Sequence, residues 1–340
     1  MMLQQQKYEW FLFFRHRIVW LLPVLVALFV GVPFFQSAQH LPGTTAQLLT
    51  HRASLFIEPA LNRPANAAEK VKLNEVAQQE DRVAFARLVN NLQQRHGTSS
   101  IDANLYNKLA QKRLPVFFVA DTRWPVTNYL ARTMQSDFNI SWLLLLMGLI
   151  VAEYCTYVGQ RRHNSLIASM PISQSLTLIN RFTVVSTGTF ALFMVGIIVG
   201  SLPALVHDGF GSLRYLFQAN GRGGFGTYVL SDGYVILTFL LYVLAYVLLF
   251  TACSLMLSRL TPSLLMNALL PTILVISGRY LSVMPAWLRL TPLTSVNIGL
   301  AMVTPMSGSL MLGTILGLIV IIVWTVLVML FGNKLQLKTN

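Results

Sequence analysis

Glu153 is the residue whose type and position most clearly invite a chemical role, because it is the only acid within six long apolar runs. A carboxylate in the hydrocarbon core of a bilayer costs a few kcal/mol. Its side chain therefore needs a cation or an aqueous opening, and the candidate cations are Arg161, Arg162, Arg181 and Arg17. Two compatible interpretations stay open: an ion pair that fixes one helix, or a group that transmits motion from a cytoplasmic partner.

The segment 160–180, which follows Glu153, is typical of an amphipathic connector. A helix here would have one charged edge and one apolar edge. A proline would end that helix, and a serine after it could cap the next helix. The alternative is an ordinary cytoplasmic loop. The residues assigned to this connector are Arg161, Arg162, Leu166, Ile167, Met170, Pro171, Ile172 and Ser173.

The sequence contains no pattern that predicts catalysis by this chain. It has no Gly-Lys dipeptide, which argues against a phosphate-binding P-loop, and no HExxH pair for a metal. Residues 221–226 fit GxGxxG, but they lie between apolar runs and not in a strand–helix unit, so they indicate a flexible connector. We expect no catalytic residues, no metal site and no cofactor in this chain.

The composition places the chain in the membrane class. Apolar residues make up 54% of the 340 positions and charged residues 11%, whereas soluble domains carry about 25% charged residues. The formal net charge is +13, but the basic residues are spread over short loops and form no stripe for nucleic acid. Cys155 and Cys253 lie in apolar runs and are expected to be core residues.

Six apolar runs are long enough, or nearly so, to cross a bilayer core about 30 Å thick. The prediction is an all-α integral membrane protein with the first run retained as an anchor; a cleaved signal peptide is the alternative. The predicted spans are 18–35, 140–159, 181–206, 234–257, 264–283 and 310–331.

Two segments outside the spans have distinct compositions. Residues 1–17 mix aromatic and basic side chains, which predicts a helix lying in the membrane interface. Residues 36–139 hold eight of the twelve acids. Apolar residues recur there at helical spacing, as at Phe85, Val89 and Leu92, which predicts a small helical domain. Helical extensions of the flanking spans are the alternative. The other connections are 207–233, 258–263, 284–309 and the tail 332–340.

The basic residues of the short loops predict the orientation. By the positive-inside rule, the richer side is cytoplasmic. Both termini are then cytoplasmic, and residues 36–139 are extracytoplasmic. The richer side holds Lys7, Arg15, Arg17, Arg161, Arg162, Arg181, Arg259, Lys334 and Lys338, against Arg214, Arg222, Arg279 and Arg289 on the other.

The order of these features resembles the type-2 ABC transporter permease family. The resemblance rests on Glu153 near the inner end of the second span, the basic pair Arg161-Arg162, and Met170-Pro171-Ile172-Ser173 before the third span. Six spans, an interfacial N-terminal helix and cytoplasmic termini also match. It covers nearly all of the chain outside residues 36–139, an insertion that the simplest family members lack.

The resemblance implies a function and several partners. The segment 160–180 would be the coupling helix that docks into cytoplasmic ATPase subunits, which would use ATP and Mg²⁺. A second permease chain, identical or similar, would complete the pore. Short amphipathic helices are implied between the last two spans, where Trp287 and Arg289 suit a lipid interface.

The expectation is thus the permease subunit of a bacterial plasma-membrane ABC exporter that is not itself an enzyme. Its spans carry few polar groups, which favours an amphipathic or lipophilic substrate such as a peptide, a drug-like compound or a lipid-linked molecule. The alternatives are a secondary transporter, an integral-membrane enzyme, and a membrane sensor or immunity protein with a ligand-binding external domain.

Overall fold

The computed structural model describes residues 2–39, 45–97, 103–116, 125–135, 137–159, 174–220, 227–261, 263–280, 290–296, 298 and 310–339. These residues form twelve α-helices, numbered in chain order. The helices are α1 Met2–Arg15, α2 Leu21–Gln39, α3 Thr45–Arg52, α4 Ala67–Gln78, α5 Arg82–His96, α6 Ala103–Lys112, α7 Val126–Gln135, α8 Asp137–Gly159, α9 Gln174–Asp208, α10 Asp232–Leu260, α11 Leu264–Tyr280 and α12 Leu310–Thr339.

Short elements complete the described chain. An antiparallel hairpin joins β1 (Leu216–Asn220) to β2 (Thr227–Ser231), with Leu216 opposite Ser231. The sequence predicted a connecting loop over 207–233, so the hairpin differs from that prediction. Three 3-10 helices span Arg17–Trp20, Glu58–Ala60 and Pro292–Ser295, and a π-helix spans Ala53–Ile57.

Five helical segments are long and apolar enough to cross a membrane, so the chain is a mainly helical, multi-pass membrane protein. The remaining predicted span contains the shorter apolar helix Leu264–Gly278. Six crossings therefore stay a prediction. The five segments are Arg17–Phe35, Ser141–Gly159, Ser175–Asp208, Asp232–Leu260 and Gly313–Phe331.

Apolar side chains lie exposed along one face of several of these helices. On α2, Leu21, Val24 and Leu28 recur every three or four residues and point away from the protein. On α12, Ile315, Ile319 and Ile322 do the same. A surface of this kind is stable against acyl chains and unstable against water, which agrees with a membrane location.

The chain divides into two compact units. The first comprises residues 1–31, 133–201 and 237–340, and the second comprises 32–132 and 202–236. The second unit therefore combines most of the predicted inserted domain with residues that the sequence analysis assigned to the third span, the fourth span and the loop between them.

Close helix contacts hold the first unit together. An ideal Cβ on Gly196 of α9 would lie 2.6 Å from Val26 Cβ and 2.8 Å from Pro23 O of α2. Glycine at this position lets the two backbones approach closely, which is a common way of packing membrane helices. The α8–α11 contact has a polar element, because Asn267 Nδ2 donates to Thr156 Oγ1 at 2.6 Å.

The second unit has its own hydrophobic core, built mainly by α3 to α6. Phe85, Val89 and Leu92 of α5 are buried in it, as their helical spacing predicted. Asp81 accepts from the backbone N–H groups of Val83 and Ala84 and so caps α5.

Candidate functional site

Glu153 lies near the C-terminal end of α8, beside a histidine and not an arginine. Its Oε2 is 3.5 Å from Nδ1 of His16, and the side chains are 24% and 11% exposed. Burial lowers the pKa of His16 from its ordinary value near 6.5, so this imidazole is mainly neutral at pH 7. The contact then joins the Glu153 carboxyl group to a mainly neutral ring.

Arg181, one of the four candidate cations for Glu153, binds another acid in the structure. Arg181 Nε donates to Glu9 Oε1 at 2.9 Å, and these side chains are 8% and 1% exposed. A carboxylate that is almost fully buried on α1 needs a cation at hydrogen-bond distance, and the first turns of α9 supply one. Arg161 and Arg162, two other predicted partners, lie outside the described residues.

Gln5 adds two hydrogen bonds one turn before Glu9. Its Nε2 donates to Thr177 Oγ1 at 3.0 Å, and its Oε1 accepts from Asn180 Nδ2 at 3.1 Å. Residues three or four apart share one face of a helix, so α1 meets the start of α9 through matched polar faces. We call this set the α1–α9 polar contact: Gln5, Glu9, Thr177, Asn180 and Arg181.

Aromatic side chains join the other end of α1 to α8. The Phe13 and Tyr154 ring centroids are 5.1 Å apart, and those of His16 and Tyr157 are 4.5 Å apart. Phe13 also fills the space above Gly188 of α9, where a Cβ would lie 2.5 Å from a ring carbon. The end of α1 is therefore fixed against both α8 and α9.

The C-terminal end of α10 completes this cluster. Gly159, the last residue of α8, approaches Ser258 so closely that a Cβ would lie 3.1 Å from its backbone oxygen. Arg259 is near enough to Arg181 to repel it. We call the whole assembly the α1 cluster: the α1–α9 polar contact together with His16, Glu153, Tyr154, Ser258 and Arg259.

The predicted coupling residues lie outside the described residues, but both flanks of that segment are described. α8 ends at Gly159, and α9 begins at Gln174. Gly159 and Thr177 both contact the α1 cluster. The structure also assigns residues 174–180 to α9, whereas the sequence analysis placed them in the connector. The residues outside are Arg161, Arg162, Leu166, Ile167, Met170, Pro171, Ile172 and Ser173.

Trp287 and Arg289 also lie outside the described residues, but the end of their segment is described. Tyr246 Oη of α10 donates to Pro292 O at 2.6 Å, and Trp324 Nε1 of α12 donates to Leu290 O at 2.9 Å. Tyr246 lies near the middle of its helix. The described part of this segment therefore packs between membrane helices.

A buried polar group in the second unit was not predicted from the sequence. Asp232 and Asn128 are fully buried, and Arg132 attracts the Asp232 carboxylate. The Asn128 amide faces this carboxylate, but neither side chain makes a hydrogen bond of ordinary geometry among the described residues. Burial, with Asp232 adding to it, raises the pKa of Tyr215.

Metal chemistry has no evident location in the described part of the chain. No group of three or more His, Cys, Asp or Glu side chains comes together there. Cys155 and Cys253 are buried free thiols.

Comparison with protein families, with curated proteins and with solved structures finds no match to this chain.

Proposed function

We propose that this chain is the membrane-spanning permease subunit of an ABC exporter that works with separate ATPase subunits. The observation that supports the proposal most is the α1 cluster, which contacts both flanks of the segment 160–173. An element that is pushed or pulled by a cytoplasmic partner needs rigid attachment at both of its ends. Gly159 against Ser258 and Thr177 against Gln5 are attachments of that kind.

In this proposal, the α1–α9 polar contact carries motion from the connector to the membrane helices. Closure of the ATPase subunits around ATP and Mg²⁺ displaces the segment 160–173. Because Glu9 and Arg181 form a buried charge pair, α1 and the start of α9 move together. α9 then displaces α2 through the close contact at Gly196.

Glu153 and His16 link this motion to charge. In the observed arrangement burial lowers the pKa of His16. A movement that opens the contact to water restores the ordinary pKa of His16 and favours its charged form. The position of α1 and the protonation of His16 are therefore coupled. Glu153 is the acid that attracts the charged imidazole.

The remaining parts of the proposal rest on the sequence and on its resemblance to type-2 ABC permeases. The transporter is placed in the bacterial plasma membrane with both termini cytoplasmic. Two permease chains, identical or similar, form the pathway. The membrane helices expose and bury mainly apolar side chains, which favours an amphipathic or lipophilic cargo such as a peptide, a drug-like compound or a lipid-linked molecule.

Co-purification from the native host tests the proposal. The tagged chain, extracted in several mild detergents, should retain an ATPase subunit. Replacing Met170, Pro171 and Ile172 by three glycines should release that subunit while the chain stays in the membrane. Three glycines at Gln78, Gln79 and Glu80, in the second unit, serve as the control and should retain it. The absence of an ATPase in every detergent would contradict the proposal.

The buried group around Asp232 favours a second candidate, a proton-coupled secondary transporter. A fully buried carboxylate at the start of a membrane-crossing helix, beside Arg132 and Asn128, is typical of proton pathways. Such a transporter would work in proteoliposomes without an ATPase, and Asp232→Asn would remove its dependence on a proton gradient. Transport that requires ATP would reject this candidate.

A further inference from the structure

The face of α1 opposite to Gln5 and Glu9 is exposed and has a composition of its own. Lys7, Phe11, Phe14 and Arg15 lie on this outward face, and Phe11 is 58% exposed. Residues at these spacings share one side of an α-helix. The same helix therefore packs against protein with one face and presents aromatic and basic side chains with the other.

The aromatic and basic side chains of this face form an ordered group. The Arg15 guanidinium lies 5.8 Å from the centroid of the Phe11 ring. Trp20, which follows the bend after α1, donates from Nε1 to Phe14 O at 2.9 Å, and its ring centroid lies 5.9 Å from that of Phe14. Rings with a basic neighbour are typical of the boundary between hydrocarbon and lipid headgroups.

The position of this face along the chain also indicates that it lies at the boundary between hydrocarbon and lipid headgroups. Immediately after Trp20, the exposed residues of α2 become purely apolar, beginning with Leu21, Val24 and Leu28. The exposed surface thus changes from aromatic and basic before Leu21 to purely apolar after it, within one turn of helix. That change is expected where a membrane helix leaves the hydrocarbon.

The charge of the face is uniformly positive. Lys7, Arg15 and Arg17 are exposed, and the single acid among residues 1–21 is Glu9. Glu9 is buried against Arg181 on the opposite side of α1. Three cations near a membrane surface, with no exposed acid among residues 1–21, attract anionic headgroups more than zwitterionic ones.

We propose that this face binds an anionic phospholipid in the leaflet that contains α1, with its headgroup at Lys7, Arg15 and Arg17. Its acyl chains lie along Phe11, Phe14 and Trp20. The inference does not rest on the proposed ABC function, since it uses only the exposed face of α1 and the apolar face of α2.

A lipid titration of the full chain in neutral detergent tests this site. Native mass spectrometry compares retention of phosphatidylglycerol with that of phosphatidylcholine of the same acyl chains. The wild-type chain should retain phosphatidylglycerol preferentially. Each of Lys7→Gln, Arg15→Gln and Arg17→Gln should weaken its apparent Kd by about fivefold, and the triple variant should approach the phosphatidylcholine value.

Matched variants separate the local effect from a change in net charge. Lys72, Arg87 and Lys112 are exposed cations of the second unit, and replacing all three by glutamine changes the net charge by the same amount. This control should keep the wild-type preference. The double variant Arg15→Lys and Arg17→Lys should also keep it, because both charges remain.

Three outcomes of the lipid titration would overturn the proposal. They are a wild-type chain without preference for phosphatidylglycerol, a triple variant that keeps the full preference, and an equal loss in the control. Inorganic phosphate at millimolar concentration should leave the lipid bound, because the site also requires the acyl chains. Displacement of the lipid by phosphate alone would contradict the assignment to a phospholipid.

Discussion

At the scale of single residues, the α1 cluster depends on the buried pair of Glu9 and Arg181. Glu9 is 1% exposed, so its carboxylate has lost nearly all contact with water. An isolated charge in that environment would be strongly unfavourable, and the hydrogen bond to Arg181 offsets this penalty. The pair therefore specifies one position of α1 on α9.

Removing both members of the pair should destabilise the protein less than the two single removals added together. Glu9→Gln or Arg181→Gln leaves one buried charge, which should lower the free energy of unfolding by about 3–5 kcal/mol. The double variant should lose less than the sum of the two single losses. Thermal unfolding in neutral detergent measures the cycle, with Lys72→Gln at an exposed position as control; strictly additive losses would contradict a direct pair.

A second residue-scale prediction concerns pH and lies in the second unit. The Glu69 carboxylate accepts from the backbone N–H of Asn66 at 3.0 Å and contacts His96 Nε2 at 2.8 Å. The hydrogen bond from Asn66 is the largest cause that lowers the pKa of Glu69 below 4.5, and His96 and Arg95 add to it. A lowered folded-state pKa gives stability above the unfolded pKa that is lost as pH falls through the folded pKa.

Thermal unfolding of the wild-type chain and of Glu69→Gln between pH 3 and pH 7 tests this. The difference between the two midpoints should be constant at neutral pH and should shrink as pH falls below about 4.5. Glu75→Gln, an exposed acid on the same helix, should show no such trend. A difference that is independent of pH would reject the role of the Glu69 carboxylate.

At the scale of elements, the apolar runs predicted most membrane helices, but their ends depend on distant partners. α9 begins at Gln174, whereas the sequence predicted a span from residue 181. The two added turns carry Thr177 and Asn180, which look unfavourable in a membrane helix until Gln5 is placed beside them. A local pattern cannot show a partner about 170 positions away.

The same limit explains why the polar side of α1 was missed and the core of α5 was not. Gln5 and Glu9 share one face of α1, and Thr177, Asn180 and Arg181 share one face of α9, but the sequence does not show that these faces meet. Phe85, Val89 and Leu92 were predictable because an apolar stripe specifies burial without naming a partner. The hairpin at Leu216–Ser231 was missed because its strands are short and flank a glycine-rich connector.

The α2–α9 contact gives a prediction at this scale. Gly196→Ala places a methyl group 2.6 Å from Val26 Cβ and 2.8 Å from Pro23 O, so the two helices must separate. We expect a loss of about 1–3 kcal/mol, measured as a lower unfolding midpoint. Gly31→Ala, in the same pair of helices, meets the nearest atom at 3.4 Å and should have little effect; equal losses would contradict the proposed close contact.

At the scale of the whole molecule, the structure establishes a mainly helical membrane protein with two compact units. The proposed permease function joins this architecture to the connector 160–173 through the α1 cluster. It requires that a partner's ATP hydrolysis depend on residues that never touch the nucleotide. Glu153 is the clearest case of such a residue, because it lies in a membrane helix and contacts His16 beside α1.

ATP turnover by the purified complex of this chain and its ATPase subunit tests that central claim most directly. Glu153→Gln should lower the permease-stimulated turnover at least tenfold, while the complex stays assembled and inserted. Glu75→Gln, an exposed acid of the second unit, should leave turnover unchanged. Equal turnover in the wild type and in Glu153→Gln would contradict transmission through the α1 cluster, and a chain that never stimulates an ATPase would contradict the permease function itself.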